Sequence, residues 1–548
     1  MSFTITYNGK KEIFEKKIKI LDLTNGDLNI ICALVNGRLR DLDYDIYYDA
    51  DIKFLTVKDH EAMSIYETGI RFIFIMAAHN VSSQMRFKLT YSVSRSIYAH
   101  LAAGKIKKVS TDLVKKIENE MNRLVKENYK FKRMIVPNEE ANEIYRKFNL
   151  NDKVAILKYR PEKTVHLYDC DGYLNYMYGK MVPSCGYLKD FKLIKYFDGI
   201  LIQYPRSEFG GLIPPFSDEP TFRDSLVNSQ RWGNLVNLSS ISGINGRIKK
   251  TDAVELINMC EDRHNRKLCE LGQKIEDYNG DIRVILIAGP SSSGKTTFAD
   301  RLTLELISRG FSPLRISIDD YYKPKEYVPK DEDGNFDFES INALDTKLFN
   351  QNINDLLNDK SVDLPIFDFK ENKRKKGKNI HIGKKDIIII EGIHALNDDM
   401  TNQIPKYLKF KIYISPQAQI NIDYENPISL TDIRLIRRIV RDNKYRGSSA
   451  EETISMWPSV RKGEFNRIYK TQEDADFVFD SFLHYELCVL KKYALPLLYR
   501  IDKESDCGPD AERLIKLLKY FKDIEDKWIP CNSLLKEFIG GSCYRDSE

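Results

Sequence analysis

The chain has 548 residues, 42% hydrophobic and 30% charged. That is too long for one ordinary core and too apolar for wholesale disorder, and length alone suggests roughly three to four domains. With 85 basic against 80 acidic residues the net charge is +5, which excludes a strongly basic nucleic-acid coat protein while leaving room for a local basic site. The longest apolar run, Ile70–Ala78, is interrupted by Arg71 and falls far short of the ~20 residues a membrane helix needs. The opening MSFTITYNGKKEIFEKK has no basic-then-apolar export layout. Nine cysteines occur without a CxxC pair, so neither a zinc knuckle nor a disulfide framework is indicated, and a reducing cytoplasm is expected.

In chain order, residues 1–60 read as a small α/β unit. Strands are expected at Phe3–Tyr7, Ile18–Ile20 and Ile52–Val57, and Asn36-Gly37 signals a hairpin between Cys32–Val35 and Arg38–Leu42. Residues 61–215 mix types: helices at Glu61–Ala78 and Thr111–Asn128, strands at Val154–Lys158, Thr164–Tyr168 and Gly199–Gln203. The Gly-Gly-Leu-Ile-Pro-Pro stretch at 210–215 looks like a boundary, and 216–280 reads as a helical connector. From Val284 a βαβ rhythm begins: an apolar strand, a helix from about Lys295 to Arg309 stopped by Gly310, and a strand at Leu314–Ile318. The wholly apolar Ile387–Ile390 suits a parallel strand buried on both faces. Residues 281–500 therefore read as a doubly wound α/β domain, and 501–548 as a C-terminal extension with an amphipathic helix near Ala511–Phe521.

Gly289-Pro290-Ser291-Ser292-Ser293-Gly294-Lys295-Thr296 fits G-x-x-x-x-G-K-[ST], with Thr297 next in the chain. Four fixed positions match by chance in roughly one chain in a hundred, and here a strand leads into the loop and a helix leaves it. In such a loop the backbone N–H groups face phosphate oxygens, Lys295 reaches the β/γ phosphates, and the Thr296 hydroxyl binds Mg²⁺. ATP or GTP with Mg²⁺ is thus the expected cofactor set.

Asp319 and Asp320 lie just past the second strand of this unit, where ligands lie in an open parallel sheet. A kinase for a small alcohol needs a carboxylate there to take the hydroxyl proton and help hold Mg²⁺; a turn-forming Asp pair is the bland alternative. Glu391, ending Ile387–Ile390, is a second metal-side acid. Arg434, Arg437, Arg438 and Arg441 fall at i, i+3, i+4 and i+7 on one helix face, suited to a mobile lid that clamps a transferring phosphoryl group, or else to a solvated surface. The run Lys370–Lys378 reads as a solvated hairpin tip.

These stretches resemble the uridine kinase/phosphoribulokinase family of P-loop kinases: AGPSSSGKTTFADRL, ISIDDYYKP, DGNFDFES, PIFDF, IIIIEGIHAL and TDIRLIRRIVRD, in the family's order. The resemblance implies Asp319 as base and magnesium partner, Tyr322 and Phe367 lining the nucleoside site, and Asp337 holding the ribose hydroxyls. It also implies Glu391 as the Walker-B-like acid and the 434–441 arginines, with Arg446, as the lid. The family's hairpin histidine is replaced by a lysine-rich tip with only His381 further on, which leaves the base open.

The first half resembles the N-terminal region of threonyl-tRNA synthetase. ICALVNGRLRDLDYDI and IKFLTVKD are similar to its TGS domain, and YLNYMYGKMVPSCGYLKDFKLIKY to its editing domain. At the positions of that domain's metal-type ligands stand Thr68-Gly-Ile-Arg-Phe72 and Met177-Tyr178-Gly-Lys-Met-Val-Pro183, so the site is abandoned while the fold is expected to stay. Together with the closing NSLLKEFIGGSCY, this arrangement is similar to a group of long nucleoside kinases. The expected fold is α/β: a P-loop kinase domain with a mostly parallel doubly wound sheet, behind small α+β TGS-like (1–60) and editing-like (61–215) domains. The expected reaction moves the γ-phosphoryl of ATP or GTP to the 5′-hydroxyl of a pyrimidine nucleoside, uridine before cytidine. Two alternatives stand beside it: a kinase for another sugar alcohol, and a nucleotide-dependent RNA-binding regulator. Expected partners are a nucleoside, RNA through the N-terminal half, and a second copy of the chain, with no membrane.

Overall fold

A computed structural model describes residues 2–544 except 105–107, 252, 279, 331–333, 335, 369, 370, 372, 384 and 385. The second half is built on a five-stranded, wholly parallel sheet. Its order is Pro313–Ser317, Ile387–Glu391, Val284–Ala288, Lys409–Ser415, Phe477–Asp480. The strands Val284–Ala288 and Ile387–Glu391 are buried throughout, as uninterrupted apolar runs covered on both faces should be. The register aligns the strand ends, since Ile287 and Ser317 both lie opposite Glu391. The loops leaving these three strands therefore open at one level, on the carboxyl edge where such sheets bind ligands.

The helix Lys295–Ser308 packs Phe298, Leu302 and Leu306 against this sheet. Residues 216–280 form three helices, Pro220–Leu235, Ile241–Thr251 and Ala253–Glu276. Leu256, Ile257, Leu268 and Leu271 of the third join the same core. The helix Leu430–Tyr445, expected as a mobile lid, lies in the core: Ile433, Leu435, Ile436, Ile439 and Val440 are all buried. The C-terminal extension carries the helix Gly508–Lys519 and returns to the loop before Lys295 and the helix Leu430–Tyr445, where Leu534, Leu535, Phe538 and Ile539 are buried. Each such side chain is worth about 1.5–3 kcal/mol, so this segment is firmly seated.

In the first half, residues 3–55 form a mixed five-stranded sheet in which Phe3–Tyr7 runs parallel to Ala50–Leu55. The Asn36-Gly37 hairpin forms between Cys32–Val35 and Arg38–Arg40. A further strand, Lys10–Phe14, pairs with the first through a turn at Asn8-Gly9. The expected strand at Ile18–Ile20 stops at Lys19, and Ile20 opens a short helix. Next come a four-stranded antiparallel sheet and a three-stranded one. The helices Met63–Val81 and Thr111–Glu127 share the core of the four-stranded sheet.

One expected element is of the wrong type. Val154–Lys158 is not a strand but part of the helix Asn151–Leu157. Its buried residues are Lys153 and Ile156, three apart, which a helix places on one face and a strand on opposite faces. The Lys153 ammonium is held by Asp423 at 3.0 Å and Glu425 at 2.7 Å, a long-range demand that local pattern does not reveal. Arg86 pairs with Asp152 at 3.0 Å and with Glu425 at 3.1 Å. This is the one carboxylate trio among the described residues close enough to share an ion, and it is already neutralised by two cations.

No helix of the described residues is long and apolar enough to cross a membrane.

Candidate active site

The phosphate-loop sequence curls as its composition requires. Ser292 and Gly294 both have positive φ, +60° and +91°. A Cβ on Gly289 would sit 2.0 Å from the Ile414 carbonyl oxygen, so only glycine fits there. The hydroxyls of Ser292 and Ser293 are buried with no hydrogen-bond partner. Lys295 Nζ donates to the Gly289 and Pro290 carbonyls at 3.0 and 3.2 Å. Burial lowers its pKa, while the charges of Glu391, Asp319 and Glu537 work to raise it.

Around Lys295 the register gathers the acids. Asp319, two residues beyond Ser317, is exposed past the carboxyl end of its strand. The protein walls around it raise its pKa, while Lys295, Arg446 and Arg441 pull it down. Glu391 is buried, and burial followed by the Asp319 charge pushes its carboxyl up to about 7. Asp320 turns elsewhere: its Oδ1 accepts from the Phe367 backbone N–H at 3.1 Å, anchoring the hairpin Val362–Asp368/Lys373–Ile380. The two neighbouring carboxylates are thereby separated by geometry.

An aromatic wall continues from Asp319. Tyr322 lies 5.9 Å from the Phe367 ring and 6.3 Å from the Phe338 ring, and its hydroxyl donates to the Phe338 carbonyl at 3.0 Å. Burial raises the Tyr322 hydroxyl's pKa, and the Asp319, Glu339 and Asp337 carboxylates add to it. Glu339 is itself pushed up to about 7 by burial and by Glu464.

The arginine face meets the loop from beneath. Arg434 donates to the Ser291 carbonyl at 2.9 Å and forms a two-pronged pair with Glu464. Arg437 is fully buried, clasped by Glu486 at 2.6 and 2.8 Å, and donates to the Ser292 and Ser293 carbonyls. Arg438 donates to the Ser291 hydroxyl at 2.9 Å, and Arg441 to Asp442 at 2.8 Å. Arg434, Arg437 and Arg438 thus brace the loop, while Arg441 and Arg446 act electrostatically on Asp319.

Three acidic residues here escape sequence reasoning. Glu464 accepts from the Ser291 N–H at 3.0 Å, Glu486 holds Arg437, and Glu537 accepts from the Thr297 N–H at 3.1 Å. Each is a lone acid in an unremarkable helix or tail, with no local signal. His381 sits exposed 2.8 Å from Asp359. The basic run lies outside the described residues at 370 and 372; beyond that, Lys375 pairs with Asp368, Lys376 with Asp363 and Arg374 with Asp345.

A parallel sheet whose first loop is a phosphate cradle, with a lysine and two carboxylates at its mouth, defines the P-loop kinase class. Within it, residues 284–486 match the family described as "Phosphoribulokinase / Uridine kinase family". The uridine kinase of Bacillus pumilus is 34% identical over 36% of this chain and 84% of its own length. That of Bacillus subtilis is 33% identical with the same coverage, and that of Ureaplasma parvum 34% identical over 32% of this chain and 77% of its own. The chain belongs to the phosphoribulokinase/uridine kinase family and is an enzyme of the nucleoside kinase type.

Proposed function

We propose that the protein transfers the γ-phosphoryl group of ATP, or of GTP, to the 5′-hydroxyl of a pyrimidine nucleoside, uridine first and cytidine second. The observation that carries this is the convergence of Lys295, Asp319 and Glu391 at one strand level, beside the Tyr322–Phe367 wall. Asp319 is the general base: it is exposed past the carboxyl end of its strand, and its raised pKa keeps it basic enough to accept a hydroxyl proton. Residues Gly289–Thr297 receive the phosphates through loop N–H groups, and Lys295 leaves its loop carbonyls to meet growing charge on the β/γ bridge. Asp337 and Tyr322 hold the sugar. Arg441, with Arg446, faces the transferring group; Arg434, Arg437 and Arg438 act on it through the loop they brace.

The Thr296, Asp319 and Glu391 oxygens are hard donors that suit Mg²⁺, and two crowded carboxylates, one raised to about 7, are what a divalent cation relieves. When bound, the ion neutralises charge on the bridging phosphate oxygens.

We read residues 1–60 as TGS-like, supported by the mixed sheet with its central parallel pair. We read 61–215 as editing-like without its metal, supported by the convergence of the two altered stretches: a Cβ on Gly179 would lie 3.1 Å from Thr68 Oγ1. RNA is the ligand class for this half, and the cytoplasm the compartment.

The test is a phosphoryl-transfer assay with ATP and GTP over nucleosides and sugar alcohols, with elemental analysis of the full chain. Turnover of a sugar alcohol but no nucleoside would move the acceptor. Nucleotide binding without any transfer would favour a regulator, and stoichiometric zinc would overturn the reading of the editing-like site.

A further inference from the structure

The C-terminal stretch Leu534–Ile539 packs against the phosphate loop and the helix Leu430–Tyr445. Leu534 packs so closely on Gly294 that a Cβ there would lie 2.5 Å from its Cδ2. The Phe538 ring sits 5.0 Å from the Arg437 guanidinium, and Lys444 Nζ donates to the Ile539 carbonyl at 2.9 Å. These anchors hold Glu537 over the first turn of the helix Lys295–Ser308, where its carboxylate accepts from the Thr297 N–H at 3.1 Å. Its charge also acts on Lys295 and Glu391. The N–H groups of that turn and the Lys295 ammonium are the groups a nucleotide's phosphates require. Meanwhile Lys295 is turned onto the Gly289 and Pro290 carbonyls, and Glu464 holds the Ser291 N–H.

We propose that Glu537 is a tethered competitor for the nucleotide's phosphates, an autoinhibitory carboxylate that the C-terminal segment delivers to the phosphate-loop helix. The inference rests on the phosphate-loop reading above but not on the acceptor. Nucleotide entry requires that the Glu537 side chain swing away and that Lys295 leave its loop carbonyls; the buried Leu534, Leu535, Phe538 and Ile539 keep the segment seated. Because the competitor is covalently attached, it acts at every protein concentration. It lowers apparent affinity by the fraction of molecules in which the carboxylate is docked.

The experiment is a calorimetric titration of Mg-ATP into the full-length protein, E537Q and E537A, with K295A as a further variant. Half-buried Glu537 has an isosteric replacement in glutamine, and thermal melts confirm that both variants fold. E537A should bind Mg-ATP about 3- to 10-fold more tightly than the unaltered chain, the range expected for removing an anion from a helix N-terminus, and E537Q should gain less, because it loses the charge while its Oε1 can still accept from the Thr297 N–H. K295A should bind far more weakly. Equal binding by all but K295A would overturn the inference, because Glu537 then competes with nothing. Weaker binding by E537Q and E537A would also overturn it, making Glu537 part of the nucleotide site. Absence of binding in every protein would remove the phosphate-loop reading as well. Binding by the unaltered chain without transfer to any nucleoside would sink only the acceptor, since titration does not read turnover.

Discussion

The two halves of the molecule each bring separated sequence stretches together around polar side chains, and they use those side chains in opposite ways. In the second half the loop at Gly289–Thr296 leaves the Ser292 and Ser293 hydroxyls buried and without partners. In the first half Thr68 and Tyr178 lie on two stretches that likewise converge, but their polar groups are committed. Thr68 Oγ1 donates to the Ser64 carbonyl at 2.7 Å and accepts from Arg71. Arg71 donates to the Glu425 carbonyl at 2.8 Å and reaches Asn426 at 3.3 Å; the Tyr178 N–H donates to Asn426 Oδ1 at 2.8 Å. The phosphate loop keeps two buried hydroxyls unpaired, whereas around Thr68 and Tyr178 Arg71 Nε lacks a hydrogen bond while Arg71 Nη1 and the Tyr178 N–H bind Glu425 and Asn426 of the second half. Buried polar groups are normally paired, and the two unpaired serine hydroxyls lie in the loop expected to meet phosphate.

The largest effect should come from stripping the phosphate loop. Lys295→Ala removes the ammonium beside Asp319 and Glu391, and turnover should fall about 10³-fold or more. Its direct bonds are to two loop carbonyls, so the thermal midpoint should stay close to that of the unaltered protein. Near-normal turnover in this variant would mean that the loop is not the catalytic phosphate cradle.

Asp319→Asn should lower kcat about 10²–10⁴-fold with little change in nucleotide affinity, because the loop amides and Lys295 remain. Asp320→Asn should stay within a few-fold of normal, since an Asn Oδ1 can still accept from the Phe367 N–H. Steady-state kinetics on both variants decide the point: a crippled Asp320→Asn beside an active Asp319→Asn would put the base on the other carboxylate.

The polar cluster of the first half predicts the reverse pattern. Arg71 is 6% exposed and ties the helix Met63–Val81 to residues of the second half. Arg71→Ala leaves the Glu425 carbonyl and Thr68 short of a donor and should cost about 3 kcal/mol of stability, as breaking a buried charged contact does. Denaturant unfolding should show this while kcat/KM per folded molecule stays within about twofold. A collapse of kcat/KM at unchanged stability would place catalysis, rather than docking, in the first half.

Legibility in the sequence tracks the range of the interactions involved. The phosphate loop is readable because a strand, a glycine pattern and a helix start lie within a few residues of one another, and Asp319 and Glu391 because each stands at or just past the end of its own strand. The Asn36-Gly37 hairpin is readable for the same reason. The equivalent signal at Asn8-Gly9 is easily missed, because the strand after it, Lys10–Phe14, is almost wholly exposed and lacks apolar alternation. The helix at Asn151–Leu157 reads wrongly as a strand because its buried lysine answers to Asp423 and Glu425, some 270 residues away. The arginine face is plain from its spacing, but its role as a brace depends on Glu464 and Glu486, which carry no motif. Glu537, 240 residues beyond Thr297, is invisible for that reason.

The smallest expected effect concerns acid, and it separates the halves by their optical signals. All three tryptophans, Trp232, Trp457 and Trp528, lie beyond residue 215, so their fluorescence reports on the helical connector, the kinase region and the C-terminal extension and not on residues 1–215. His484 is 2% exposed, stands 4.9 Å from the Trp232 ring, and leaves its Nδ1 without a partner. Burial, with the Arg263 charge behind it, holds its pKa down at about 3. The native imidazole therefore stays neutral where an unfolded one, with a pKa near 6.5, takes up a proton. Above pH 6.5 the two states bind equally few protons and His484 contributes no pH dependence. Below it the unfolded state binds more, so stability falls as pH drops from 6.5 toward 3. The slope is about 1.4 kcal/mol per pH unit, or about 2 kcal/mol by pH 5. Urea unfolding monitored by tryptophan fluorescence at pH 7 and pH 5 should show a loss of at least this size, and His484→Phe, which keeps an aromatic ring and removes the titration, should make the loss smaller by about 2 kcal/mol. An equal loss in His484→Phe would assign the acid sensitivity to other groups, of which His264, also held at about 3 by burial and by Arg301, is the next to test.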